Sequence, residues 1–221
     1  MLIGLIGVKG SGKDAVADII QKHMDVNRMA FADKIKIVCA REFKLDKKFF
    51  HDQSLKEVEL KLPEALGFVR SFEILESFGI NPSLFTIDQI NYTGVLAQRI
   101  MTTPREIMQV VGTELLRYMD SEVHINTIEL DKLAGNTIIT DVRMPNELKH
   151  LTNYSGDVKL LYIQRDSAEA KVNEHSHESE KNVFTIRDKC VKVDNNGSLE
   201  DLEELVVNLL NLKCNYLEEV V

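Results

Sequence analysis

Positive charge is what this sequence is short of. It carries 27 Lys and Arg against 35 Asp and Glu, for a formal net charge of −8. That deficit excludes a general electrostatic coat for nucleic acid or an anionic membrane, but leaves room for a local basic pocket that holds a phosphate. Cysteine is scarce too. Cys39, Cys190 and Cys214 are odd in number and scattered in spacing, which argues against a disulfide framework or a zinc site and reads as buried free thiols in a reducing cytosol. Long hydrophobic runs are missing. The opening "MLIGLIGV" runs into lysine and glycine without a basic leader, so it is too short for a membrane span and wrong for a signal peptide. The expectation is a soluble protein that is not exported. Internal repeats and low-complexity tracts are absent as well. What remains is a chain of 221 residues, 44% hydrophobic, long enough to bury one sizeable core and expected to form a single domain over residues 1–221.

The order of apolar runs predicts an α/β protein. Residues 2–8 read as a strand, followed by a glycine loop and a helix with Ala15, Val16, Ile19 and Ile20 at helical spacing. "MAFA" (29–32) reads as a second strand, and Ile35, Val38 and Cys39 mark the stripe of the next helix. Residues 44–101 are charge-rich helical pieces broken by Pro63, Gly67, Gly79 and "NPS", and read as a helical insertion on the substrate side. A capped helix over 103–119 follows, with Thr103 as N-cap, Pro104 at the first helical position and Glu106 completing a capping box. Its buried side is expected to be Ile107, Val111, Leu115 and Tyr118. "TIIT" before Asp141, "VKLLYIQR" (158–165) and "CVKV" (190–193) read as further strands, and a helix capped by Ser198 ends the pattern. The polar stretch 166–187 reads as a lid-like segment. Strands alternating with helices favour a mainly parallel sheet covered on both faces.

The densest chemical signal is "GVKGSGKD" (7–14), with the spacing G-x-x-x-x-G-K-[ST] except that Asp14 replaces the hydroxyl. Gly7, Gly10 and Gly12 let the backbone approach a phosphate, amides at the helix start coordinate it, and Lys13 neutralises it. Asp14 reads either as a carboxylate that holds Mg²⁺, directly or through water, or as a solvated aspartate favourable at a helix N-terminus. Asp141 closes an apolar strand, with Arg143 and Glu147 just beyond it. Alone, D-x-R is more often a surface pair, but ligands bind where the C-terminal ends of such strands open. Arg105, Gln109, Gly112 and Thr113 recur at i, i+4, i+7 and i+8 on the capped helix. They read either as a solvated face or as a wall for a base and a phosphate, and an interior glycine favours the wall. Arg165 opens the lid-like segment as a candidate cation for the transferring phosphate or a lid-edge charge. Lys34 and Lys36 read equally as helix-surface lysines or substrate contacts. "HSHESE" (175–180) lacks the spacing and the third ligand of a metal site.

Taken in order, "GVKGSGKD", "FADKIK", "REIMQVVGTE", "DVRMPNE", "YIQRD", "HESE" and "NNGSLEDL" resemble the bacteriophage deoxynucleoside monophosphate kinases of the P-loop nucleoside monophosphate kinase superfamily. The resemblance implies a three-layer P-loop NTPase fold and transfer of the γ-phosphoryl of ATP, with Mg²⁺, to a deoxynucleoside monophosphate in the cytoplasm. It implies that Gly10, Ser11, Gly12, Lys13, Asp14 and Ala15 hold ATP. Lys36, Arg105, Gln109, Gly112, Thr113, Asp141, Arg143 and Glu147 would hold the acceptor, with Arg105 and Arg143 converging on its phosphate. Lys13, Arg143 and Arg165 would be catalytic. An aspartate after the loop lysine is a feature of that family. The aromatic that the family carries after "GTE" is here Leu115. No nucleic-acid polymer or membrane partner is expected, and a homodimer is left open. Rival readings are another small-molecule P-loop kinase, such as a dephospho-coenzyme A kinase, and a nucleotide-binding regulator that transfers nothing.

Overall fold

The computed structural model describes residues 1–212, so Cys214 lies outside the described residues. In chain order the elements are β1 (Leu2–Ile6), α1 (Lys13–His23), β2 (Asn27–Met29), α2 (Asp33–Glu42), α3 (Lys48–His51), β3 (Glu64–Ala65), α4 (Phe68–Ser77), α5 (Ile87–Leu96), β4 (Ile100–Met101) and α6 (Pro104–Gln109). A π-helical segment, Val110–Arg117, continues α6. Then come β5 (Thr137–Val142), α7 (Pro145–Thr152), β6 (Val158–Gln164), α8 (Asp166–Glu169), α9 (Glu178–Ile186), β7 (Val191–Asp194) and α10 (Leu199–Leu210). The chain divides into two compact units, Met1–Phe31 with the chain from Glu129 onward, and Ala32–Ile128.

The first unit is a three-layer α/β fold. Its sheet has the order β2-β5-β1-β6-β7, and every pairing is parallel. β1 lies at the centre with all five residues buried, which is why it reads as a continuous apolar run rather than an alternating one. Ile3 and Leu5 face a core built with Val16, Ile20, Leu202 and Val206 of α1 and α10. The opposite face carries α7, on which α9 packs. α10 starts at a capping box in which Ser198 Oγ accepts from Asp201 N–H at 3.1 Å and the Asp201 carboxylate accepts from Ser198 N–H at 2.9 Å.

One strand differs from the sequence expectation. β2 is Asn27–Met29 rather than 29–32. It is an edge strand with two exposed residues out of three, so it carries no apolar run. The hydrophobic signal came from Phe31, which is buried beyond the end of the pairing. The stretch 166–187, expected to be lid-like, holds two helices, α8 and α9, with Val183 and Ile186 of α9 buried.

The second unit is mainly helical, with a small antiparallel pair, β3 with β4. Its own core joins Val38, Phe50, Leu66, Ile74, Ile107 and Leu115. Cys39 is a buried free thiol in this core and Cys190 a half-buried one in the first unit. Burial raises both thiols well above the ordinary value, Cys190 to about 11. Among the described residues no helix is long and apolar enough to cross a membrane.

Candidate active site

The glycine loop forms where β1 ends. Gly12 sits at φ 101° as the N-cap of α1, a left-handed conformation that a side chain resists. A Cβ at Gly12 would also collide with the side-chain amide of Asn195. That amide donates to Ser11 O at 2.7 Å, while Asn195 N–H donates to Gln164 O at 2.8 Å, so the loop is tied to the C-terminal ends of β6 and β7. Lys13 folds over the loop and donates to the carbonyls of Gly7 and Val8 at 2.6 and 2.7 Å. The Ser11 hydroxyl is buried without a hydrogen-bond partner among the described residues. Gly10, at φ 81°, is exposed at the loop tip, and Ala15 lies half-buried in the first turn of α1.

Four charged groups act on Lys13. Burial and the nearby Arg143 guanidinium push its pKa down to about 7, against the opposing pull of Glu180, Asp14 and Asp141. The Asp14 carboxylate is exposed and paired with the Arg28 guanidinium, whose other arm reaches Asp18 at 2.7 Å. Asp141, within the last two residues of β5, accepts from Phe31 N–H at 2.8 Å. Arg143 follows β5 and pairs with the Glu180 carboxylate of α9, whose second oxygen accepts from the loop amide of Lys9 at 2.6 Å. Burial pushes Glu180 up, but Arg143, the Lys9 amide and Lys13 outweigh it and hold the carboxyl below its usual range. Glu147 is buried and accepts from the amides of Arg143 and Met144 at 2.8 and 3.1 Å. It therefore shapes the turn that presents Arg143. Arg165 is exposed at the end of β6, and its carbonyl accepts from Ala168 and Glu169 to start α8.

The remaining expected residues belong to the second unit. Lys36 Nζ is 2.8 Å from Asp33, and exposed Lys34 lies over the Phe78 ring at 4.8 Å. The Thr103 cap forms, accepting from Glu106 N–H at 3.2 Å, while the Glu106 carboxylate reaches the amide and hydroxyl of Thr102 at 2.6 and 2.9 Å. In the same first turn Arg105 donates through Nε to Glu57, and its Nη2 is buried with no partner among the described residues. The regular spacing expected for the polar row fails after Gln109, because the segment is π-helical and its i→i+5 bonds rotate successive residues differently from an α-helix. Gln109 and Thr113 are half-buried, whereas Gly112 is buried with Val111 and Leu115. A Cβ at Gly112 would stand 3.0 Å from Ile35, and its carbonyl accepts from His124 Nε2 at 2.9 Å. Burial, helped by Arg117, lowers His124 to about 4, so the ring is neutral and its Nε2 carries the proton. Tyr118, expected to be buried, is 51% exposed and stacks on Tyr92 at 3.8 Å.

Within the first unit, then, Lys13, Asp14, Asp141 and Arg143 share one electrostatic neighbourhood, with Glu147 behind the arginine. Glu180, Arg28 and Asn195 join them without having been singled out in the sequence. Among the described residues no group of three or more His, Cys, Asp and Glu could hold a metal. The carboxylates of Asp14 and Asp141 beside the loop are nonetheless hard oxygen donors, which suit Mg²⁺ when phosphates and waters supply the other ligands.

Comparison with known proteins points to one family. The family model described as deoxynucleotide monophosphate kinase matches residues 70–206. A protein of Acanthamoeba polyphaga mimivirus, provisionally named a deoxynucleotide monophosphate kinase, is 25% identical over 96% of each chain. The deoxynucleoside-5′-monophosphate kinase of Escherichia phage T5 is 27% identical over 83% of this chain and 85% of its own.

Proposed function

This chain belongs to the deoxynucleotide monophosphate kinase family and is a transferase, and on that premise we propose that it passes the γ-phosphoryl group of ATP to a deoxynucleoside 5′-monophosphate, giving ADP and the deoxynucleoside diphosphate. The observation that carries the reading is the glycine loop capped by Gly12, with Lys13 across it and Arg143 beside it. The acceptor phosphate oxygen is already anionic, so no general base is required and the protein's work is positioning and charge stabilisation. Loop amides from Gly10 to Ala15 and the Lys13 ammonium take the ATP phosphates. Arg143 faces phosphate from the first unit, held by the Glu147 turn, and Arg165 approaches from the lid-like segment. In the second unit, Arg105, Lys36, Gln109 and Thr113 serve the acceptor, while Gly112 is packed against Ile35 behind them. Asp14 and Asp141 are the residues that would hold Mg²⁺, which when bound neutralises charge on the phosphates. The free thiols of Cys39 and Cys190 support action in a reducing cytoplasm, that of the host for a viral enzyme.

The test is a phosphoryl-transfer assay with ATP, Mg²⁺ and a panel of deoxynucleoside monophosphates, ribonucleoside monophosphates and dephospho-coenzyme A. Formation of ADP that depends on a deoxynucleoside monophosphate is expected. Transfer only to dephospho-coenzyme A, or to no acceptor at all, overturns the proposal.

A further inference from the structure

Glu180 lies outside every role assigned above, yet it makes the contacts an anionic ligand would make. One carboxylate oxygen accepts from the Lys9 amide of the phosphate loop at 2.6 Å and the other meets the Arg143 guanidinium. A glutamate in the first turn of a helix is ordinarily explained by that helix's own amides and dipole. Here the side chain turns instead to a loop 171 residues away in sequence. Its side chain is only 16% exposed, so this carboxylate has left water for the loop amide and the guanidinium. Those donors, a loop amide and a planar fork beside the loop lysine, are the ones a phosphate oxygen uses.

We propose that Glu180 is a positioning residue that occupies a phosphate seat in the nucleotide-free protein, holds Arg143 and the loop in place through its two contacts, and is displaced when a nucleotide phosphate enters. The proposal rests on the phosphate-loop reading of residues 7–14. Displacement exchanges one anion for another at Lys9 N–H and Arg143, so neither donor is stranded without a partner at any stage.

The consequence is competition. Apparent affinity for a phosphate ligand is the intrinsic affinity reduced by the fraction of protein in which the seat is open, so removing the Glu180 charge should tighten binding by roughly tenfold. The experiment measures equilibrium binding of ATP and of pyrophosphate, without Mg²⁺, to the full chain and to Glu180→Gln and Glu180→Ala. Both variants are expected to bind both ligands more tightly, with the larger gain for pyrophosphate, which has only the phosphate seat to use. Turnover at saturating ATP, where the ligand has already displaced Glu180 in the wild type, should change far less than affinity. Unchanged or weaker binding in both folded variants, with the wild type binding ATP normally, overturns the placeholder and leaves the loop reading standing. Failure of all three proteins to bind either ligand overturns the loop reading and the placeholder with it.

Discussion

At the scale of single residues, charge state decides what the site does. Lys13 has its pKa lowered to about 7 in the nucleotide-free protein, chiefly by burial and by Arg143. An incoming phosphate favours the ammonium, so above that value binding must draw a proton from solution, and ATP affinity should fall as pH rises. At about pH 8, where the free protein holds Lys13 largely neutral, calorimetry in two buffers of different ionisation heat should show uptake approaching one proton per ATP. Uptake should shrink towards about pH 6 and vanish in Lys13→Met; uptake that persists in that variant would assign the proton elsewhere. Arg105 gives a second prediction. Its Nη2 is buried with no partner among the described residues while Nε is held by Glu57, so on the proposed reading it is the donor that an acceptor phosphate would satisfy. A lysine cannot hold Glu57 and reach the phosphate together. Arg105→Lys should therefore raise the KM for the monophosphate by an amount corresponding to about 1.5–3 kcal/mol, leaving equilibrium ATP binding unchanged. A loss confined to ATP would move Arg105 to the donor.

Elements are where the loop acquires its shape and where the sequence stops being readable. Gly12 needs its positive φ and also leaves room for the Asn195 amide that holds Ser11 O. Gly12→Ala should therefore cost about 1–3 kcal/mol of stability from backbone strain and the displaced amide, and should weaken ATP binding. Combining it with Asn195→Ala should cost less than the sum of the two single changes, because both remove the same contact; strict additivity in thermal unfolding would separate them. The same loop was legible in the sequence because φ above zero and lysine spacing select particular residue types. β1, β5 and β6 were legible because strands enclosed in a parallel sheet must be apolar. β2 was misplaced because an edge strand carries no such demand. The start of α6 could be read from Thr103 and Pro104, since capping is local. The π-helical turn could not, because its hydrogen-bond shift leaves no pattern in residue type, and the buried position of Gly112 went with it. Glu180 was hidden for a related reason. Its partners Lys9 and Arg143 are brought to it only by the order of strands in the sheet, and "HSHESE" draws attention to its histidines, of which His177 accepts from Ser179 N–H at the start of α9.

For the whole molecule, pH response should follow from which buried groups resist protonation. His124 is 3% exposed, and burial first, then Arg117, takes its pKa from 6.5 to about 4. Between those two values the unfolded chain binds a proton that the folded chain refuses, so stability must fall as pH is lowered through that window. The loss can reach about 3 kcal/mol and levels off below the folded value. Carboxylates behave in the same direction but later. Glu106, held down mainly by the Thr102 amide, and Glu180, held down by Arg143 against its burial, keep their stabilising contribution until pH drops below their usual range. The acid limb should therefore start near neutrality, above the pH at which carboxylates alone would begin it. His124→Gln removes the titrating ring while keeping an amide donor for the Gly112 carbonyl. Thermal unfolding of this variant between about pH 7 and pH 5 should show a distinctly flatter decline in Tm than the wild type, with the two curves running parallel below about pH 4. Equal slopes across the upper window would mean that the ring accepts its proton without cost, and that the neutral His124 to Gly112 contact is not what ties this fold to neutral pH.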